Sequence, residues 1–473
     1  MVSHTMGSME SMGPNKLKLP LLLCSPALLC LTAAAGPAAG ASAASANSAA
    51  APSVQRPPVA AMSVVSPQSP AAPATEPAEE PAEHHGYHSL AGLLKSLDTR
   101  NNLAGNWWGG LDALQDDGIL PDVTLLQAAS ENFSGGLRTN RIDWRYRLDA
   151  SLTLDTEKLF NWKGGTAYVD LMAHGGQNPA NNLVGELQAI SAIDQNPDTR
   201  LDQLWYQQRF WNGALWFKLG RIDATYDLDH IRDAQPFLNG SFGFSPSIFV
   251  YPSYPFSAWG GEYSWRVVHP ITLRGGIFDG NTSNTLPAVV SPDPLAVENP
   301  YGLFFLSEES VHWQLAANKL RGELTAGQWF HTGAFELYSG GQRQDAHGFY
   351  GYLDQTLWKA GRRANTAARI GAFTQYAWAD DRLTEIDQNI SGGIRAHGLI
   401  PGRKDDDMGI AATWAHISPY ARTPHSFELS IETFYSAQVT PWLSIQPDLQ
   451  YIVNPGGTYS NALVATIQVG IQF

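Results

Sequence analysis

Between Asp122 and its last residue, the chain alternates apolar and polar positions. In RIDWRYRLDASLTL, Ile142, Trp144, Tyr146, Leu148, Ala150, Leu152 and Leu154 share one parity, while Arg141, Asp143, Arg145, Arg147, Asp149, Ser151 and Thr153 share the other. Successive side chains of a strand point to opposite faces, so this segment predicts a strand between two different surroundings. FELSIETFYSA repeats the pattern with Glu428 and Glu432 on the polar row, and the final VATIQVGIQF puts Ala465, Ile467, Val469, Ile471 and Phe473 on one face. Chain ends usually fray unless something ties them, so the last strand is expected to be paired.

Sixteen such segments follow one another, separated by Gly, Pro, Asn and Asp clusters. They begin near Asp122, Leu137, Gly164, Arg200, Gly213, Ser257, Pro270, Leu303, Lys319, Asp345, Thr366, Gln388, Met408, Ser426, Trp442 and Asn461. An even count returns both ends to one side. A soluble sandwich also alternates, so period alone does not choose between water and lipid. The connections add a second signal: QNPANNLVGELQAISAIDQNPD, the stretch from Asp223 to Phe256, GNTSNTLPAVVSPDPLAVENPYG and HTGAFELYSGGQRQ are long, whereas WNG, VVHP, AANKL and VTP are short. Short periplasmic turns against long outer loops characterise outer-membrane barrels. An open sheet edge in hydrocarbon would leave backbone groups unpaired, so the first and last strands are expected to join. The predicted fold is all-β: a closed, 16-stranded antiparallel transmembrane barrel, residues 122–473.

Upstream of Asp122 the texture differs. KLKLPLLLCSPALLCLTAAAGPAAGASA places Lys16 and Lys18 before an apolar run and then small residues, with Ala41-Ser42-Ala43 as a cleavage site; residues 1–43 read as a signal peptide with an N-terminal extension. Both cysteines, Cys24 and Cys30, fall inside it, so no disulfide is expected in the exported chain. Residues 44–86, rich in Ala, Pro and Ser, read as a disordered spacer. Residues 87–121 read as a short helical periplasmic lead-in, with an amphipathic helix at about Ser89 to Leu97. His84, His85 and His88 are read as incidental, and no metal or other cofactor is expected.

Charged residues make up 16% of the chain against roughly 25% in typical soluble domains. The formal net charge of −14 argues against nucleic acid, whose phosphates require a basic surface.

Several blocks bear a family resemblance: LAGNWWGGLDALQDDGI before the first strand, VGELQAISAID after the third, LDQLWYQQRFWNGALWFKLGRIDATYDL across the fourth and fifth, GGIFDGN at the seventh, and PWLSIQPDLQYIVNPGG near the end. Over residues 103–473 the chain resembles the carbohydrate-selective outer-membrane porins of the OprB type. That resemblance implies passive diffusion of mono- or small oligosaccharides across the bacterial outer membrane, which the chain reaches by export through the periplasm.

Sugars offer hydroxyl rims and apolar C–H faces, which charged groups beside aromatic rings can recognise. The polar rows supply Arg141, Asp143, Arg145, Arg147, Asp149, Trp205, Arg209, Glu262, Arg266, Glu428 and Glu432 as expected pore-lining residues. The fifth connection exceeds thirty residues, and its FLNGSFGFSPSIFVYPSYPF is too aromatic for a solvated loop. It is expected to fold into the pore as a constriction, with Asp227, Asp229, Arg232, Asp233, Phe237 and Phe242 as its key residues; an outward loop packed on its neighbours is the alternative. Phe473 is the expected signal to the outer-membrane barrel-assembly machinery. Expected partners are therefore sugar permeants, outer-membrane lipid and that machinery, with association between barrels left open. Two other classes compete. One is a barrel enzyme such as a lipase or glycosidase, for which neither G-x-S-x-G nor H-E-x-x-H is present; the other is a structural or polysaccharide-export barrel tethered through its spacer.

Overall fold

The computed structural model describes residues 100–280, 302–315, 319–360 and 368–473. The signal segment, the spacer with its histidines and the helix expected near 89–97 lie outside the described residues. A 3-10 turn, Trp107–Gly109, leads into helix α1 (Gly110–Asp116), where the Asn106 side chain accepts the Asp112 backbone N–H at 3.0 Å.

The alternating segments are strands. They run as β1 (Ile119–Ser134), β2 (Ile142–Asp155), β3 (Gly165–Gly176), β4 (Asp198–Phe210), β5 (Leu215–Ile222), β6 (Ala258–Val268), β7 (Ile271–Asp279) and β8 (Leu303–Leu315). The second half comprises β9 (Leu320–Glu336), β10 (Gln342–Lys359), β11 (Arg369–Ala379), β12 (Ile386–His397), β13 (Asp407–Ile417), β14 (Phe427–Thr440), β15 (Leu443–Val453) and β16 (Ala462–Gln472). Each pairs antiparallel with its sequence neighbours, and β1 closes on β16 from Thr124↔Gln472 to Ser134↔Leu463. At the seam, the Phe473 N–H donates to the Val123 carbonyl at 2.8 Å and the Leu103 N–H to that of Gln472 at 2.8 Å. The terminus keeps its pattern because it completes the cylinder, leaving no strand edge to lipid.

Burial gives the direction of the two faces. Ile142 is 62% exposed and Leu449 42%, whereas Arg145 and Glu428 on the opposite rows are fully buried. Apolar side chains therefore cover the outside and polar ones fill the inside, the reverse of a soluble sandwich. Trp162, Phe210, Trp211 and Trp358 are exposed near the end where β1 begins and β16 finishes, where an aromatic girdle meets the interface.

At the opposite end, the β3–β4 connection (177–197) and the β5–β6 connection (223–257) turn inward. The main apolar core lies inside the cylinder, where Ile222, Leu228, Ile231, Phe237, Phe242 and Ile248 pack against wall residues including Phe278, Phe304, Trp329, Phe373 and Phe434. HTGAFELYSGGQRQ, expected as a long loop, mostly continues β9 and β10 and leaves residues 337–341 as the turn. These strands extend because Phe335 on the inner row packs against Phe249 of the infolded connection, their ring centroids 5.7 Å apart. β1 likewise starts three residues before Asp122.

Candidate functional site

The β5–β6 connection contains short capped turns: Asp223 accepts the Thr225 N–H at 3.0 Å, and Asn239 accepts the Ser241 N–H at 3.0 Å. Such side-chain caps satisfy backbone donors that no sheet can reach inside the barrel. Wall carboxylates take others. Glu308 accepts the Asp229 N–H at 3.0 Å and the Tyr350 hydroxyl at 2.7 Å; Asp354 accepts the Asp233 N–H at 2.8 Å and the Arg232 guanidinium at 2.6 Å. Glu432 accepts from Leu238 at 2.6 Å and Asn239 at 2.9 Å.

Close packing accompanies these bonds. The Phe237 ring lies 4.9 Å from Phe434, 5.0 Å from Phe242 and 5.7 Å from Phe373. Two inner-row glycines make room: a Cβ on Gly409 would stand 2.7 Å from Phe237 Cζ, and one on Gly371 would strike the Asp233 carboxylate. Burial, reinforced by Glu308, pushes the Asp229 carboxyl up to about 8 despite the Ser245 N–H it accepts. Asp233 goes the other way: burial would raise it, but Arg369 and Arg232 outweigh that and hold it below the usual range.

The β3–β4 connection is fixed in the same manner, which its sequence did not lead us to expect. Glu428 accepts the N–H groups of Leu187 at 2.9 Å, Gln188 at 3.1 Å and Gly456 at 2.7 Å. Asp194 pairs with Arg145 at 2.7 Å, and the Gln450 amide donates to the Ile190 carbonyl at 2.7 Å. Leu183, Val184 and Ile190 pack against Ile452, Ala462 and Val464. Five Leu, Val and Ile residues in LVGELQAISAI were the available signal. Burial and the nearby Glu428 and Asp194 carboxylates raise Glu186 well above the usual carboxyl range.

Between the two infolded connections lies a cavity of about 520 Å³, bounded by Arg147, Gln188, Asp194, Asp223, Asn239 and Tyr254 among others. This is within the roughly 300–1,000 Å³ of small-molecule sites. Arg147 reaches it from β2: its guanidinium pairs with Asp149 at 2.7 Å and lies 3.8 Å from the centroid of the Tyr254 ring. Its Nη2 is buried without a hydrogen-bond partner among the described residues. Elsewhere on the inner wall, Trp205 stacks on Tyr168 at 4.9 Å, with the Lys218 ammonium 4.6 Å from the Trp205 ring. Lys218 also pairs with Glu262 at 2.7 Å and with Asp227.

The expected site residues therefore separate into groups. Arg147 and Phe237 border the cavity, while Trp205, Glu262 and Asp227 meet around Lys218. Asp229, Arg232, Asp233 and Phe242 bind the infolded connection to the wall or to itself, Glu428 and Glu432 accept backbone N–H groups of the two connections, and Arg145 pairs with Asp194 while donating to the Ser130 hydroxyl of β1. Arg141 stands at the far mouth, paired with Asp143 at 2.8 Å, and Arg209 and Arg266 sit near the turns at the end where β1 begins. Sequence reasoning did not single out Lys218, Glu308, Asp354 or Tyr254. The first three lie on inward rows, so parity could have found them.

With this geometry in view, three comparisons bear on the chain. Residues 141–473 match the family model described as carbohydrate-selective porin, OprB family. Porin B of Pseudomonas aeruginosa is 24% identical over 423 residues, covering 78% of this chain and 91% of that protein. Among solved structures, the high-pH structure of Pseudomonas putida OprB is similar at a TM-score of 0.71 with 20% identity, covering 80% of this chain and 99% of that one. The low-pH structure of the same protein gives 0.54 with 19% identity and the same coverage.

Proposed function

The chain belongs to the carbohydrate-selective porin family OprB and lies in the bacterial outer membrane, and from that premise we propose that mono- or small oligosaccharides diffuse passively through its lumen by way of the cavity beside Arg147. Its relatives are channels, not enzymes, so the barrel-enzyme alternative falls.

The observation that carries the reading is the arrangement at Arg147: a guanidinium with an unpartnered N–H, a carboxylate beside it and the face of Tyr254 against it, at the edge of a cavity. The Arg147 guanidinium with the Asp194, Asp223 and Asn239 side chains of the lining suits sugar hydroxyls, and the Phe237 and Tyr254 rings suit the C–H face. Trp205 with Lys218 offers a second such pairing farther along the wall. The β5–β6 connection narrows the passage, held by Glu308, Asp354 and Glu432. A permeant must leave as easily as it enters, so binding is weak. The strand ending at Phe473 serves as the segment that the assembly machinery reads.

Single-channel recording of the purified protein in a planar bilayer tests this. Millimolar monosaccharide is expected to interrupt the ionic current, with uncharged polyethylene glycol of similar size giving a smaller effect. Equal effects from both would remove the selectivity and leave a size-limited pore.

A further inference from the structure

Register partners stand side by side where β10 to β13 reach the end at which β1 begins: Lys359 opposite Arg369, Arg369 opposite His397, and His397 opposite Asp407. Opposed residues of antiparallel strands share a face, and the Arg369 side chain meets the infolded β5–β6 connection, so this row faces the lumen. Lys359 and Arg369 carry like charge directly across a strand pair, with Cα atoms about 4.5–5.5 Å apart. Such a pair repels unless an anion lies between its members.

The anion that Arg369 has does not come from the wall. Its Nη1 pairs with Asp233 of the connection at 2.5 Å; Arg232 reaches the other oxygen of that carboxylate at 2.7 Å, and Arg395 stands 3.8 Å from the first. Three guanidinium groups around one carboxylate form a carboxylate site, filled from within the chain. Charge is left over. Arg232 is also 2.6 Å from Asp354 and Arg395 2.7 Å from Asp407, so Arg232, Lys359, Arg369 and Arg395 together face three carboxylates. On the adjoining strands Arg274 and Arg321 are matched by Glu308 and Glu323, which makes the surplus local.

That surplus is within reach of water. Lys359 is exposed and enters no hydrogen bond or ion pair among the described residues. The Arg369 side chain is 22% exposed and engages its neighbours through Nη1 alone, which leaves the edge formed by Nε and Nη2 unspent. A guanidinium edge takes a carboxylate through two parallel N–H bonds, and an ammonium beside it adds a third donor.

We propose that Lys359 and Arg369 bind the carboxylate of a sugar acid, a uronic or aldonic acid, so that the pore passes these anions as well as neutral sugars. This rests on the reading of the lumen as a sugar passage: the hydroxylated body travels the route that neutral sugars take, and the carboxylate is held at the end where β1 begins. Asp233 keeps its place on Nη1. The bound acid neutralises the cross-strand pair, and two exposed donors hold it weakly enough to leave.

Single-channel recording at constant ionic strength, with sodium glucuronate, sodium acetate or glucose as the probe, tests the site. Glucuronate is expected to interrupt the wild-type current at several-fold lower concentration than glucose, and acetate to have little effect. Lys359→Gln should weaken glucuronate block about tenfold and leave glucose block unaltered, while Lys359→Arg keeps both. Glucuronate acting no more strongly than glucose, or equally well on Lys359→Gln, would overturn the proposal. Equal block by acetate would also overturn it, leaving a bare anion site. A wild type that ignores glucose but retains Lys359-dependent glucuronate block would remove the neutral-sugar reading and uphold the acid site.

Discussion

The carboxylate of Glu432, on the inner row of β14, receives the backbone N–H of Leu238 at 2.6 Å across 194 residues of chain, and its other oxygen receives that of Asn239 at 2.9 Å. A buried backbone N–H left without an acceptor costs about 1–3 kcal/mol. Glu432→Ala is expected to free this part of the β5–β6 connection, raising open-channel noise and mean conductance while the strands remain folded. Glu432→Gln keeps one acceptor oxygen and should fall between the two. Unchanged noise in the alanine variant would show that Phe237 and its ring neighbours hold the connection without the carboxylate.

Arg147 joins a carboxylate, an aromatic face and an unpartnered donor in one side chain. Lysine keeps the charge but loses the planar fork and its stacking, so Arg147→Lys is expected to weaken sugar block of the current several-fold with little change in ionic conductance. Arg266→Gln, near a turn at the periplasmic end, should leave sugar block unaltered. The same loss in both variants would place sugar recognition outside the cavity.

The strands were legible because most separate lipid from a largely polar inner row, and that difference is written at each position from Ile142 to Leu154 and again in the last ten residues. Parity also assigned Arg145, Glu428 and Glu432 to the inside. It could not say what they touch there. Glu428 meets Leu187 and Gln188 only because the β3–β4 connection folds back into the cylinder, a contact spanning 241 and 240 residues that no local pattern encodes. Boundaries failed where strands rise clear of the lipid: beyond His331, the inner row still packs Phe335 against Phe249, but the outer row no longer needs to be apolar. The aromatic density of the β5–β6 connection was readable, and the glycines at 371 and 409 that accommodate it were not.

Asp229 gives the infolded connection a pH dependence with a definite sign. An ordinary carboxyl with a value of 3.8 is raised to about 8 in the fold, so between those values the folded form holds a proton that the freed loop would release. The form that binds more protons loses stability as pH rises, so the anchored state should weaken steadily from about pH 4 to about pH 8 and level off above. Hydrogen exchange of amides 229–245, corrected for intrinsic rates, is expected to show less protection at pH 9 than at pH 6. Asp229→Asn, which cannot ionise, should flatten that difference. A variant as pH-sensitive as the wild type would show that the Asp229 proton is not what holds the connection in place.

At the seam, Phe473 contributes its N–H to the Val123 carbonyl, and the neighbouring Gln472 amide reaches Asp122 at 2.8 Å and the Val123 carbonyl at 3.2 Å. These bonds belong to the backbone and to Gln472, so the Phe473 ring itself adds little to closure. Phe473→Ser keeps them and removes only the aromatic end. Its expected signature is a several-fold fall in assembled barrel in cells, alongside nearly unchanged refolding of the purified chain into detergent micelles, as followed by heat-modifiable gel mobility. An equal fall in both settings would make the ring a structural part of the seam rather than a feature that the assembly machinery reads.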